Sequence, residues 1–178
     1  ARFDDAPLAG RFAALAADVA ARRNTAETLA NMRQVASSSY QVEFPESTGI
    51  SERVLWPHSP AERHGMEDAR FVRFVHDTGE VASYATYTAF DGVNIAQHLL
   101  ETRDFCSFEV SPLAGAAAVG KGLALFPRKV HGRYVALSRS DRESNAIAYS
   151  DAMRCWPTAE QIQTPTQPWE LLQLGNCG

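Results

Sequence analysis

The chain of 178 residues is 45% hydrophobic and 21% charged, enough apolar material for one ordinary globular domain and unlike a disordered or fibrous chain. Its formal net charge of -4 offers no global attraction to nucleic acid or an anionic membrane, so any anion site has to be a local cluster of Lys and Arg. The most apolar stretches, Phe12 to Ala21 and Ala114 to Phe126, are interrupted by Asp18 and Lys121 and fall short of the ~20 apolar residues of a membrane span, so the sequence predicts a protein that neither crosses nor coats a membrane.

No basic segment followed by an apolar run opens the chain, and a soluble, cytoplasmic protein is the expectation. Cys106, Cys155 and Cys177 are an odd number without a CxxC pair, which argues against a disulfide framework or a zinc knuckle and predicts buried free thiols. Residues 1–39 read as a helical segment. Leu8 to Arg23 puts Phe12, Leu15, Ala16 and Val19 on one face, and Asn24-Thr25 caps a second helix from Ala26 to about Val35, giving a helical hairpin.

From Tyr40 onward, residues 40–178 change to short runs of β-branched and aromatic residues separated by Gly, Pro, Asp and Ser, the pattern of an all-β domain. The runs repeat. A first unit has strands at Ala69–Phe74, Ser83–Thr88, Ile95–Leu100 and Asp104–Phe108. A second has Leu123–Phe126, Arg133–Ser138, Ala146–Ser150 and Asp151–Trp156. Tyr84 matches Tyr134 and Asp104 matches Asp151 at a spacing of about 50 residues, the length of a propeller blade. Tyr40–Phe44 and Arg53–Leu55 read as the outer part of a preceding blade, and Trp169–Gln173 as the first strand of a following one. The pattern therefore reads as a partial propeller cut at both ends, whose open blade edges favour a homo-oligomer. A smaller self-contained β fold with helices is the alternative.

Gly65-Met66-Glu67-Asp68-Ala69-Arg70 places two carboxylates and a guanidinium just before a strand, a position from which propeller residues point into the central funnel and where a general acid is well placed. A solvated loop with an ion pair is the plainer reading. Tyr84 to Gly92, including Tyr87, Thr88 and Asp91, supplies aromatics and hydroxyls on alternating faces and then an Asp-Gly turn, which suits a sugar or simply a core strand. Gly115 to Gly122 nearly satisfies GxxxxGK[ST], but Gly122 replaces the hydroxyl residue, and a strand follows where a phosphate loop must open a helix. Lys121 remains available to an anion, with Arg128, Lys129, Arg133 and Arg139 in the next turn and strand. His58 and His64 lack metal-ligand spacing, so no metal is assigned, and Ser138 lacks a GxSxG setting.

Taken in order, Ser51-Glu52-Arg53-Val54-Leu55, the Gly65–Arg70 segment, Tyr87 to Gly92, Leu125 to Tyr134 and Tyr149 to Trp156 resemble glycoside hydrolase family 130 over roughly Tyr40 to Gly178. The resemblance implies a five-bladed β-propeller acting on β-mannosides with inversion at the anomeric carbon. Known members are mostly phosphorylases, with some hydrolases. It implies a single aspartate as general acid, which maps onto Asp68 with Asp91 as second choice, and basic residues that hold phosphate, for which Lys121, Arg128, Lys129 and Arg139 are available. Glu67, Arg70, Tyr87 and Thr88 would contact the sugar, and the family's usual proline is replaced by Ala69.

The expected activity is phosphorolysis of an oligosaccharide or mannoside to mannose 1-phosphate, with inorganic phosphate as co-substrate and no other cofactor. The alternatives are a β-mannoside hydrolase and a propeller that binds glycan without catalysis.

Overall fold

The computed structural model describes residues 25–170 and 174–176. A helix, α1 (Thr25–Ser37), precedes two antiparallel sheets. The first contains β1 (Tyr40–Glu43), β2 (Gly65–Val75), β3 (Val81–Phe90), β4 (Ile95–Thr102) and β5 (Ser107–Pro112), in the order β1-β5-β4-β3-β2. The second contains β6 (Ala124–Leu125), β7 (Tyr134–Ser138), β8 (Asn145–Ser150) and β9 (Thr158–Gln163), in sequential order. Every strand pair within the two sheets is antiparallel, so β2 to β5 and β6 to β9 are two successive four-strand meanders. Tyr84 on β3 and Tyr134 on β7 each stand on the second strand of their meander, as the repeat predicts, and both rings lie 5.7 Å from the Phe74 ring.

Strand β3 is buried on both faces because its side chains alternate between two cores. Ala82 and Tyr84 face the second sheet and join Phe74, Leu99, Leu123, Leu125, Ala136, Ala148 and Trp156. Ala85, Tyr87 and Ala89 face the other way, with Leu100, Phe108 and Val110 and the half-buried Val42, Phe44, Leu55 and Met66. Trp156 is wholly buried, and its indole N–H donates to the Met153 carbonyl at 2.9 Å, so the ring fills the seam without stranding its polar atom. Gly115 packs against the Trp156 backbone at φ 101°, where an added Cβ would stand 2.2 Å from the Trp156 carbonyl oxygen.

Several sequence expectations change here. The helix expected from Ala26 to Val35 forms within α1, while its partner over Leu8 to Arg23 lies outside the described residues. Tyr40–Phe44 is not the remnant of a separate blade, because β1 pairs with β5 as the outer edge of the first sheet. Arg53–Leu55 follows a 3-10 turn as irregular chain, with the Arg53 guanidinium donating to the Phe105 carbonyl at 2.8 Å and to that of Thr48. Asp104 caps a turn by accepting from the amides of Cys106 and Ser107, so the strand begins at Ser107. Asp151–Trp156 is a turn as well, and the second meander closes instead on β9, whose outer edge has no strand partner among the described residues. Trp169 and Glu170 belong to a 3-10 turn, Pro168–Glu170, and the rest of the strand expected over Trp169–Gln173 lies outside the described residues. Cys155 is exposed and Cys106 half-buried, contrary to the expectation of buried thiols. Among the described residues no helix is long and apolar enough to cross a membrane.

The face of β3 turned away from the second sheet holds a buried polar knot. The Glu62 carboxylate, 0% exposed, accepts from the amides of Ser59 at 2.8 Å and His58 at 2.9 Å, from the Tyr40 hydroxyl at 2.9 Å and from the Tyr87 hydroxyl. Tyr87 spends its one proton on Glu62, so its oxygen accepts from His98 Nδ1 at 3.1 Å. Burial opposes ionisation of Glu62, but the donors from His98, Tyr87 and the two amides outweigh it and hold the carboxyl well below its usual 4.5. Burial pushes both Tyr40 and Tyr87 above their usual 10.0, followed by the Glu62 charge for Tyr40 and by the neighbouring Tyr40 and then Glu62 for Tyr87.

Two outcomes follow for stability. Gly115→Ala should cost several kcal/mol, roughly 3 or more, because it combines a forbidden φ with a backbone clash, and thermal unfolding would register it as a large fall in Tm. A folded-state carboxyl held below 4.5 contributes stability that is full above that pH and lost as pH falls beneath it. The two raised tyrosines contribute below pH 10.0 and lose their contribution above it. Tm should therefore fall on both limbs, and Glu62→Gln should be less stable at neutral pH and flatter in acid. Parallel acid limbs for the two proteins would contradict this assignment.

Candidate functional site

Strand β2 carries the candidate acid. Its register against β3 slips between Glu67 and Arg70, a bulge that holds Asp68 at φ 57°, in the left-handed region that side chains other than glycine rarely adopt. Such a conformation costs ~1 kcal/mol or more and concentrates at functional positions. Either side of the bulge, Glu67 pairs with Thr88 and Thr88 with Gln97, while Arg70 pairs with Thr86. These side chains share the face turned toward the second sheet.

Opposite them runs the loop between the sheets. Gly115 to Gly122 makes one 3-10 turn at Ala116–Ala118 and then, through positive φ at Gly120 and Gly122, leads into strand β6 rather than a helix. Side chains of the first sheet grip its carbonyls. Gln97 Nε2 donates to Gly120 O at 2.8 Å, Arg70 donates to Gly122 O at 3.0 Å, and the Thr86 hydroxyl donates to Leu123 O. Asn176 Nδ2 also donates to Gly122 O at 2.8 Å, and its Oδ1 accepts from Arg70. The loop so held presents Lys121, whose Nζ lies 3.1 Å from Glu67 Oε2.

Arg139 completes the group. Its guanidinium is buried, and its affinity for the proton is lowered first by that burial and next by the neighbouring Arg70, with the charges of Asp141 and Asp68 acting in the opposite sense. Gly122 makes the crowding possible, since an added Cβ would come 3.3 Å from the Arg70 guanidinium and 3.4 Å from Arg139 Cδ. Glu67, Asp68, Arg70, Lys121 and Arg139 therefore sit together, and Thr88 beside them has a buried hydroxyl with no hydrogen-bond partner among the described residues.

The remaining sequence candidates lie elsewhere. Arg128 bridges to Val75, and Lys129 Nζ lies 3.5 Å from Asp77 Oδ2 and 4.7 Å above the Tyr134 ring, both at the far end of β2. At ~3.3 Å per residue that end is roughly 20–25 Å from the bulge, so the expected basic cluster is two separate groups. Asp91 accepts from the amides of Asn94 at 2.6 Å and Val93 at 2.8 Å and from the Asn94 side chain at 3.1 Å. These donors take its pKa down to about 2, and Asp91 caps the turn between β3 and β4. Tyr87 points to the opposite face from Thr88, into the knot around Glu62.

On that opposite face Leu55, Met66, Phe71, Ala85, Tyr87 and Leu100, together with Glu67, Asp68 and Ala69 of the bulge, line a hollow of about 190 Å³. Neither the hollow, nor Glu62, nor the gripping residues Gln97 and Asn176 are apparent from sequence spacing. Among the described residues no cluster of His, Cys, Asp and Glu has the makings of a metal site.

No protein-family model matches the chain, and no curated protein matches it. Among solved structures the chain is similar to a β-1,2-mannobiose phosphorylase from Listeria innocua in complex with β-1,2-mannobiose, at 23% sequence identity and a TM-score of 0.52. The match covers 64% of this chain and 32% of that one, so the chain spans about a third of the length of the enzyme whose fold it shares.

Proposed function

We propose that the chain carries the catalytic residues of a carbohydrate-active enzyme, built on a five-bladed β-propeller, that cleaves β-mannosides with inversion by phosphorolysis to mannose 1-phosphate. The observation that carries the reading is the strained bulge that holds Asp68 between Glu67, which pairs with Lys121, and Arg70, with the Asp68 charge felt at Arg139. The fold likeness to a mannobiose phosphorylase and the ordered motifs around Gly65–Arg70 and Leu125–Tyr134 support it.

In this reading Asp68 is the general acid, and its proton passes through a sugar hydroxyl to the leaving oxygen. The bond from the anomeric carbon to that oxygen breaks with its electron pair, and a phosphate oxygen forms the new bond from the opposite face. An inverting hydrolase needs a second carboxylate ~6.5–9.5 Å from the acid to activate water. Phosphate arrives already charged and needs cations instead, which Lys121 and Arg139 supply. In this reading Glu67, Arg70 and Thr88, whose buried hydroxyl has no partner among the described residues, contact the sugar.

Asp68→Asn keeps the shape and removes the proton, so turnover of a β-mannoside in phosphate buffer should fall by ~100 to 10,000-fold with Tm unchanged. Asp91→Asn, which alters only a turn cap, should leave turnover near normal, and the reverse pattern would move the acid to Asp91. Lys121→Ala should raise the KM for phosphate about tenfold, since one charge-assisted hydrogen bond is worth ~1.5–3 kcal/mol, and should change the KM for the sugar less. Lys129→Ala should change neither. Free mannose released at the same rate without phosphate would replace this reading with hydrolysis, and mannoside binding with no turnover would replace it with a binding module.

A further inference from the structure

Asn176 links the two sides of the site. Its Nδ2 donates to the Gly122 carbonyl at 2.8 Å, and its Oδ1 accepts from the Arg70 guanidinium. Arg70 itself donates to the same carbonyl at 3.0 Å, so guanidinium, carbonyl and amide close a ring of three hydrogen bonds. A guanidinium can only donate and a carbonyl can only accept, so the group that joins them must do both, as an amide does. The residue is half-buried and anchored from behind: Leu174 is buried, and Gly175 O accepts from Asn145 Nδ2 of β8 at 3.0 Å. Asp68, Lys121 and Asn176 also follow one another at steps of roughly 50 residues, the length of one meander, so the repeat that brings the first two to the site brings Asn176 as well.

An ion pair would be the simpler way to hold Arg70. A carboxylate at this position would accept from the guanidinium and ease its repulsion with Arg139, whose proton affinity Arg70 lowers. It would also offset the Arg70 charge and set an oxygen against the Gly122 carbonyl with no proton between them. The amide instead fixes both the guanidinium and the backbone next to Lys121, and leaves the positive charge of the group intact. We infer that Asn176 is a positioning residue of the anion site: it locks Arg70 to the loop that carries Lys121 without neutralising either. The inference rests on the proposed phosphate site at Lys121 and Arg139, and adds that the neutral amide of Asn176 sets the affinity of that site for a dianion.

The test uses the full chain. Calorimetry would measure the affinity of the wild type, Asn176→Asp and Asn176→Ala for inorganic phosphate, for sulfate and for mannose, with thermal unfolding to show that each protein is folded at the measuring temperature. Asn176→Asp should weaken both anions at least about tenfold at neutral pH, because it removes a donor and adds a like charge, and should change mannose affinity less than about twofold. Asn176→Ala loses both bonds but adds no charge, so it should weaken the anions by a smaller factor, about threefold. In a Lys121→Ala background it should weaken them no further, since its effect passes through that lysine. A residue that only supported the fold would lower Tm in both variants without moving the anion affinities, and that pattern overturns the inference, as does an Asn176→Asp protein that binds phosphate like the wild type. Weakened anion binding in Asn176→Asp, with free mannose as the product of turnover, would keep the positioning role and defeat phosphorolysis. Phosphorolysis at the wild-type KM for phosphate in both variants would do the opposite, and a wild-type chain that binds neither anion would remove both.

Discussion

The grip of the first sheet on the carbonyls of Gly120, Gly122 and Leu123 is the constraint on which the site depends. Gln97, Arg70, Asn176 and Thr86 supply the donors, from three strands and from the far end of the described chain. Each such bond contributes only ~0.5–1.5 kcal/mol net, somewhat more for the guanidinium, but all act on one short stretch of backbone. That stretch has two glycines at positive φ and would otherwise be among the looser parts of the chain. Held in this way it fixes three things together: the apolar seam through Leu123, the position of Lys121, and the approach of Arg139 to Arg70 through the missing Cβ of Gly122.

The same sheet has a second polar anchor on its other face. Glu62 ties Tyr40 of β1 to Tyr87 of β3, and does so from the 3-10 turn just before β2. The residues after it, Arg63 and His64, are pinned to the Asp91–Gly92 turn: Arg63 donates to the Asp91 carbonyl at 2.7 Å, and His64 N donates to the Phe90 carbonyl at 2.9 Å. The chain therefore enters Gly65 and the bulge from a fixed point. A left-handed aspartate persists only where its surroundings over-determine it, and here it is bounded by the Glu62 anchor on one side and the ladder from Arg70 to Val75 on the other.

The strands of the two meanders are legible in the sequence because alternation and turn residues are local signals: β3, β4, β7 and β8 lie close to where the pattern puts them, and the Asp-Gly turn forms. Misread segments are those whose identity depends on a partner far along the chain. Tyr40–Glu43 looks like any short strand until Ser107–Pro112 claims it as an edge. Thr158–Gln163 is exposed throughout and shows no apolar alternation, so only pairing with β8 reveals it. In the site, Glu67, Asp68 and Arg70 are close in sequence and were found together, whereas Arg128 and Lys129 are nearer to Lys121 in sequence than Arg139 is and yet lie at the wrong end of β2. Charge proximity along a β chain misleads because each strand carries the backbone ~3.3 Å per residue away from its starting point.

Two neighbouring arginines in a partly buried site repel each other unless something offsets them. In the free protein that offset comes from Asp68 and Asp141 for Arg139, while Glu67 answers Lys121. Arg70 has further partners of its own, since its guanidinium donates to the Gly122 carbonyl and to Asn176. In the proposed phosphorolysis an incoming phosphate dianion would add to this offset, met by Lys121 and Arg139, and the gathering of cations needs no moving part because the gripped loop already holds Lys121 beside the bulge.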